Sequence, residues 1–191
     1  IQMGTSSSSD IPVRDKKNLV FNFQALSPVW GRALGNLAKA QGFKSYGLMA
    51  LNNDFTKSML EGFNEVVGIK SNVIEPFFYN GGQSSYRSEV EKLIDKNPDA
   101  VFIPSYVTDF TIVYKDIFRS GYEGQVITVS ISTGSKFKKA VGKAANGILH
   151  GLPVPPINSK AYKQYLRETG LEDNGNMQHP FGPAGRDQMS T

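Results

Sequence analysis

Residues 46–68 read YGLMALNNDFTKSMLEGFNEVVG, and this stretch decides the fold class. It opens with six nearly continuous apolar residues, as expected for a strand that is buried on both faces of a sheet. Two asparagines and Asp54 then form a turn, in which Asp54 is placed to cap a helix. Apolar residues follow at helical spacing until Gly68. The stretch therefore predicts one β-strand followed directly by one α-helix.

The same alternation of strand and helix extends along most of the chain. Predicted strands cover residues 19–23, 46–51, 73–79, 100–103, 126–131 and 147–149, and predicted helices begin near Ser27, Asp54, Ser84 or Ser85, Thr108 or Asp109, Ser135 and Ser159. Residues 1–18, in contrast, show no periodicity. Alternation with short turns is typical of repeated βαβ units. We predict an α/β fold whose mostly parallel, doubly wound sheet carries helices on both faces.

Composition narrows the chemistry that the chain can perform. The absence of cysteine among 191 residues excludes disulfides, thiolate metal sites and a cysteine nucleophile. Net charge is +4, and the densest basic group is Lys136, Lys138, Lys139 and Lys143. A group this small is typical of a solvated helix face rather than of a nucleic-acid site. We expect no nucleic-acid partner, no metal and no cofactor.

Enzyme motifs are lacking. The sequence contains no HExxH, Walker A, GxGxxG or GxSxG motif, and its only histidines are His150 and His179. Asp54 and Asp109 follow predicted strands and are the best candidates for a catalytic base, although helix capping explains both equally well. We expect a protein that is not an enzyme, and an α/β enzyme using either aspartate is the less favoured alternative.

Polar and aromatic side chains follow the predicted strands where they end. They are Asn52, Asn53, Asp54, Phe55, Tyr79, Asn80, Ser105, Tyr106, Thr108, Ser130, Ser132 and Thr133. Ligands of open parallel sheets bind beyond the carboxyl ends of the strands. Hydroxyls, amides and rings at that edge suit a small polar organic ligand. The competing interpretation is that these are loop and cap residues with no ligand.

Four segments, in order, resemble the periplasmic solute-binding proteins of the branched-chain amino acid ABC transporter type. They are FNFQALSPVWGRALGNLAKAQGFKSYGLMALNNDFTKSMLEGF (21–63), YNGGQSSYRSEVEKLIDKNPDAVFIPSY (79–106), GYEGQVITVSIST (121–133) and VGKAANGIL (141–149). Each segment is weakly specific alone, whereas the ordered set is more specific and extends over about residues 1–158. The resemblance implies two α/β lobes that close on a ligand between them.

The resemblance also implies six ligand-binding residues. Ser6, Ser7 and Ser8 match a loop that binds the ligand carboxylate, although a flexible linker is the alternative interpretation of this serine run. Phe55 stands where the family places an aromatic residue against the ligand, and Tyr106 matches a tyrosine after a later strand. Ser130 aligns with an acidic residue that binds the ammonium group in amino-acid binders.

Ser130 is the main departure from the family pattern. Without a carboxylate there, an amino acid loses a charge-assisted hydrogen bond of about 1.5–3 kcal/mol. The resemblance therefore predicts another small carboxylate or amide as the ligand, with an aromatic ligand as one option.

The resemblance further divides the chain into three parts. Residues 1–18 are expected to be the end of a first lobe with a crossover, residues 19–150 a second lobe, and residues 151–191 a crossover with part of a return segment. The remainder of the first lobe is expected to be missing from this chain. Implied partners are a small-molecule ligand and the membrane permease of an ABC transporter, in a periplasmic or extracellular, membrane-associated location. A ligand-sensing domain of a receptor or transcription regulator is the alternative on the same fold.

Overall fold

A computed structural model of the chain describes residues 1–4, 7, 8, 10–22, 24–151 and 160–169. Its strands are β1 (Gln2–Gly4), β2 (Val20–Asn22), β3 (Tyr46–Leu51), β4 (Phe77–Tyr79), β5 (Ala100–Phe102), β6 (Gln125–Val129) and β7 (Leu149–Gly151). Its α-helices are α1 (Asp10–Arg14), α2 (Ser27–Ala40), α3 (Asp54–Val67), α4 (Arg87–Ile94), α5 (Val107–Arg119), α6 (Ser135–Val141) and α7 (Lys160–Thr169). Short 3₁₀ turns lie at Ile69–Ser71, Ser130–Ser132 and Gly142–Ala145.

Five strands form the main sheet in the order β4-β3-β5-β6-β7, and all neighbours in it are parallel. Strand β3 is buried along its whole length, and its side chains alternate between the two faces. Leu48 and Ala50 pack with α2 and α3, whereas Met49 and Leu51 pack with α4, α5 and α6. The predicted α/β class, with a mostly parallel sheet and helices on both faces, is confirmed.

Helices α2 and α3 approach each other closely because glycines face the contact. A Cβ atom on Gly31 would lie 1.9 Å from the carbonyl oxygen of Met59, and one on Gly62 would lie 2.2 Å from that of Pro28. The hydroxyl of Ser27 donates to that of Ser58 across the same contact at 3.2 Å. This close approach fixes the first two turns of α2 against the middle of α3.

The first part of the chain differs from the prediction. Residues 1–18 contain β1 and α1, although their sequence has no periodicity. Strand β2 falls within the predicted strand 19–23, but it pairs with β1 in a separate two-stranded parallel sheet. The carboxylate of Asp15 accepts hydrogen bonds from the backbone N–H groups of Leu19 and Val20, which fixes the turn before β2. Strand pairing therefore puts β2 outside the main sheet, and the predicted lobe boundaries remain predictions.

Several predicted helix caps are wrong. Asp54 is the first residue of α3, and the side chain of Asn53 caps that helix by accepting from Thr56 N–H at 3.0 Å. Ser27 is the first residue of α2, and its buried hydroxyl donates to Ser58 instead of capping the helix. Tyrosines occupy the cap positions of the next two helices: Tyr86 precedes α4 and Tyr106 precedes α5.

Several predicted strand bounds are also wrong: β5 ends at Phe102 instead of residue 103, and β7 covers Leu149–Gly151 instead of residues 147–149. Residues 73–76 lie outside β4, and residues 130 and 131 form a 3₁₀ turn after β6. Residues 152–159 and 170–191, which hold most of the predicted crossover and return segment, lie outside the described residues.

Candidate functional site

The carboxyl ends of β3, β4, β5 and β6 meet at one edge of the main sheet, because these strands are parallel neighbours. The loops after them carry the polar and aromatic residues that the sequence singled out. We refer to this edge as the carboxyl edge. Helices α3 and α5 begin there and run back to the opposite edge.

An aromatic row lies at the carboxyl edge. The rings of Phe55 and Tyr106 are nearly parallel, with an interplanar angle of 13° and centroids 6.3 Å apart. Trp30, from the first turn of α2, meets Phe55 edge-on with centroids 5.9 Å apart. Tyr106 is 46% exposed, Phe55 is half-buried, and Trp30 is 9% exposed. Exposure therefore decreases along the row from Tyr106 to Trp30. The row presents an aromatic surface to any ligand at this edge.

The structure brings Phe55 and Tyr106 together, as the resemblance requires, although Trp30 was not among the predicted site residues. Trp30 lies among the helically spaced apolar residues of α2, a position typical of a core residue. This spacing does not predict the ring contact with Phe55. Only the close approach of α2 and α3 brings the two rings together. The indole Nε1 of Trp30 is buried and has no hydrogen-bond partner among the described residues.

Ser130 differs from the two rings because it is buried, with 2% of its surface exposed. It directly follows β6 and begins the 3₁₀ turn Ser130–Ser132. Its hydroxyl has no hydrogen-bond partner in the described part of the chain. A buried polar group without a partner is uncommon in native proteins. The predicted ligand contact of Ser130 remains a prediction, and it requires the hydroxyl to become accessible.

A hydrogen-bond network beneath the edge joins the loops that carry these residues. The hydroxyl of Tyr79, at the end of β4, donates to Ser105 Oγ at 2.6 Å. Ser105 Oγ donates to the carbonyl of Tyr106 at 3.3 Å, and Ser132 Oγ donates to the carbonyl of Ser105 at 2.6 Å. Burial raises the pKa of the Tyr79 hydroxyl above its ordinary value, so this donor stays protonated at neutral pH. Ser105 thus connects the Tyr79, Tyr106 and Ser130 loops.

Asp109 has a structural role in a neighbouring loop. Its Oδ1 accepts from the backbone N–H of Gly82 at 2.7 Å and from the hydroxyl of Tyr86. Burial and the hydrogen bond to Asp109 raise the pKa of Tyr86 to about 12. The carboxylate therefore holds the turn after β4 against α5, and its Oδ1 is already engaged by two donors.

Exposed amides complete the edge on the β4 side. Asn52 Nδ2 donates to Asn80 Oδ1 at 2.9 Å, and the backbone N–H of Asn52 donates to the carbonyl of Tyr79 at 2.8 Å. On the β7 side, Thr133 Oγ1 lies 2.5 Å from Nδ1 of His150. Burial and the nearby Lys138 lower the pKa of His150, which favours its neutral form.

The predicted serine loop reaches the start of α2. Ser7 is buried, and its carbonyl accepts from the backbone N–H of Ser27 at 2.8 Å. Ser8 Oγ accepts from the N–H of Asp10 at 3.3 Å. Ser6 lies outside the described residues. The backbone of Ser7 is therefore anchored to Ser27, which lies three residues before Trp30 in α2. The predicted contacts of Ser6, Ser7 and Ser8 with a ligand carboxylate remain predictions.

Within the described ranges, no three His, Cys, Asp or Glu side chains come together as a set able to hold a metal ion. None of the helices described there combines the length and hydropathy that a bilayer-crossing segment requires.

A parallel α/β sheet with rings and hydroxyls at its carboxyl edge suits a domain that binds a small molecule, and the comparison with known families gives the family. A family model described as periplasmic binding protein matches residues 3–168. The chain belongs to this family, which bears out the resemblance seen in the sequence. No curated protein matches the sequence at a significant level.

Three solved structures of similar fold are remote from this chain in sequence. A leucine-binding protein from Thermotoga maritima has a TM-score of 0.75 at 16% identity, over 97% of this chain and 54% of its own. An extracellular ligand-binding receptor from Rhodopseudomonas palustris HaA2 has a TM-score of 0.72 at 20% identity, over 98% of this chain and 55% of its own. An ABC-transporter solute-binding protein from R. palustris, solved in complex with benzoate, has a TM-score of 0.64 at 17% identity, over 78% of this chain and 41% of its own. The chain spans about half the length of these structures.

Proposed function

We propose that this chain is part of the substrate-binding component of an ABC transporter, which captures a small organic solute between two lobes for import. The observation that carries the proposal is the pair of nearly parallel rings, Phe55 and Tyr106, at the carboxyl edge. Family membership supports a ligand-binding role. The ligand enters an open cleft, the lobes close by a hinge motion, and the closed form docks on a membrane permease.

The ligand that best suits this edge is a small aromatic carboxylate or amide. Rings favour stacking against a planar molecule. Ser130, in the position where amino-acid binders of the family carry an acid, has a hydroxyl and no charge to hold an ammonium group. One structural relative was solved in complex with benzoate, which supports a ligand of this class. The proposed location is periplasmic or extracellular and membrane-associated. We further propose that the protein is not an enzyme.

Calorimetric titration of the full-length gene product with benzoate, benzamide, leucine and valine tests the ligand class. We expect benzoate or benzamide to bind at least tenfold more tightly than either amino acid. Phe55→Ala and Tyr106→Ala should each weaken that binding by about tenfold, which corresponds to about 1.4 kcal/mol of lost stacking. Phe21→Ala is the matched control, because Phe21 is a half-exposed ring in β2, outside the main sheet.

Tight binding of leucine or valine would overturn the ligand class while leaving the binding function intact. Binding of benzoate that neither ring substitution weakens would overturn the site. The enzyme alternative has its own test: a double Asp54→Asn, Asp109→Asn variant must lose any catalytic activity that the wild type shows.

A further inference from the structure

A groove lies at the opposite edge of the sheet from the aromatic row, between the last turns of α5 and the segment that follows α6. Its volume is about 240 Å³. Tyr114, Phe118, Val141 and Ala144 are among its apolar lining residues, and Lys115 and Arg119 are its charged ones. No acidic side chain of the described residues lines it. The groove thus combines an apolar floor with two cations.

The floor of the groove is held in place by contacts of its own. The hydroxyl of Tyr114 donates to the carbonyl of Ala144, which ties α5 to the 3₁₀ turn Gly142–Ala145. The buried ring of Phe137 contacts Tyr114 with centroids 5.3 Å apart, which fixes α6 against α5. Gly142 has a φ of +59°, a left-handed conformation that turns the chain sharply after α6. The groove is therefore a feature of packed elements and not of a loop surface.

Charge sets the chemistry of the groove. Arg119 Nη1 lies 3.1 Å from Oδ1 of the buried Asp116, and because Arg119 is 65% exposed its other donors face outward. Lys115 is half-buried one helical turn earlier, and no carboxylate of the described residues lies within ion-pair distance of its ammonium. The two cations lie on one face of α5 and line the same groove, so an anion placed there is attracted by both charges.

An exposed aromatic ring beside the groove also supports a ligand site. Phe118 is 65% exposed at the mouth of the groove, one helical turn after Tyr114. Ligand pockets are typically concave and lined mostly by apolar and aromatic side chains. The volume is below the 300 Å³ or so of pockets that hold drug-sized ligands, so the occupant must be small.

We propose that this groove is a second ligand site, which binds a small organic anion with a short apolar chain, of the medium-chain carboxylate class. Its apolar chain lies along Tyr114, Val141 and Ala144, and its carboxylate meets Lys115 and Arg119. The site is independent of the proposed solute cleft, because its residues lie at the other end of α5 from Tyr106.

The test is an NMR titration of the ¹⁵N-labelled full-length gene product with octanoate and, in parallel, with the neutral octanamide. We expect octanoate to shift the backbone signals of Phe118, Val141 and Ala144, and octanamide to bind at least tenfold more weakly. Lys115→Gln should weaken octanoate binding severalfold and Lys115→Glu at least tenfold. Lys17→Glu is the matched control, since Lys17 is an exposed lysine in the turn before β2.

Circular dichroism melting of each variant separates a lost site from a lost fold, and Lys115→Gln keeps the test open if the charge reversal fails to fold. Three results would each overturn the proposal: equal binding of octanoate and octanamide, unchanged octanoate affinity in both Lys115 variants, or shifts confined to the residues around Phe55. Benzoate that still binds at the carboxyl edge while octanoate fails to bind would refute the groove alone and leave the proposed function standing.

Discussion

At the scale of single residues, Ser105 and Tyr79 hold the candidate site in shape without being exposed themselves. The Tyr79 hydroxyl bonds to Ser105 Oγ, and Ser105 bonds in turn to the carbonyl of Tyr106. The aromatic partner that faces solvent is therefore positioned by a buried hydroxyl pair. Affinity at such a site depends on how well its contact residues are pre-organised.

We predict that Tyr79→Phe weakens benzoate binding by up to about fivefold and lowers the free energy of unfolding by about 1 kcal/mol, the value of one neutral hydrogen bond. Calorimetry and urea unfolding measure the two effects. Tyr122→Phe is the control, because it removes a comparable bond, from Tyr122 OH to the carbonyl of Pro98 at 2.7 Å, at the opposite edge. Equal losses of affinity in the two variants would contradict a positioning role for Tyr79.

The sequence was sufficient to predict that Phe55 and Tyr106 lie close together, but it did not predict the surroundings of Ser130 and Trp30. The pairing of Phe55 with Tyr106 follows from parallel strands that end at one edge, and the resemblance named both residues. The burial of Ser130 and the contact of Trp30 with Phe55 depend on how the turn after β6 folds and how closely α2 approaches α3. Neither the period of the apolar residues nor the order of the motifs encodes those packing details.

At the scale of elements, burial explains which bounds were predictable. Strand β3 matches its predicted residues because all six are buried, so one apolar run defines it. Strand β1 escaped prediction because three exposed or half-buried residues acquire their structure only by pairing with β2. The N-cap residues of α4 and α5 were not predicted, because Tyr86 and Tyr106 occupy these positions without a side-chain hydrogen bond to the helix.

The α2–α3 contact yields an element-scale prediction. Gly31→Ala should lower the free energy of unfolding by about 3 kcal/mol or more, because the new methyl group would overlap the backbone of Met59. Helix propensity alone predicts the opposite sign, a gain of up to about 1 kcal/mol. Urea unfolding decides between them. Gly4→Ala, where a Cβ would meet nothing within 4 Å, serves as the control and should change stability by less than 1 kcal/mol.

At the scale of the whole molecule, carboxylates that accept hydrogen bonds from backbone N–H groups are expected to determine how far the pH can fall before the protein unfolds. Two N–H groups, those of Lys44 and Ser45, donate to Asp99 at 2.7 and 3.0 Å and lower its pKa. Burial alone would raise the pKa of Asp116, but donors from Tyr86, Ser85 and Arg119 outweigh it and hold the value below normal. Both groups therefore stabilise the fold above the unfolded aspartate pKa near 4, and this stability is lost as pH falls through their folded values.

We predict that the urea midpoint falls slightly as pH drops below about 6.5, because the lowered pKa of His150 lets the unfolded state bind more protons, and that it falls more steeply between pH 4 and 2. Asp116→Asn should lower stability at pH 7 by about 1–3 kcal/mol, because one buried acceptor is lost, and it should flatten part of the acid limb. Asp95→Asn is the control, since Asp95 is exposed and contacts only its neighbour Lys96 in the salt bridges of the described residues. An acid limb as steep in Asp116→Asn as in the wild type would exclude Asp116 as a cause.

Buried tyrosines set the alkaline limit by the converse argument. The folded pKa of Tyr86 is about 12, above its ordinary value of 10.0, because burial and the bond to Asp109 favour the protonated phenol. Its contribution is complete below pH 10 and is lost as pH rises toward 12, by about 2–3 kcal/mol in all. We expect the urea midpoint to hold between pH 8 and 9 and to drop by pH 11. Tyr86→Phe should be less stable at pH 8 yet show a shallower drop, whereas Tyr106→Phe, at an exposed ring, should keep the wild-type profile. A Tyr86→Phe variant with the wild-type slope above pH 10 would show that the alkaline limit arises elsewhere, with the buried Tyr79 as the next group to test.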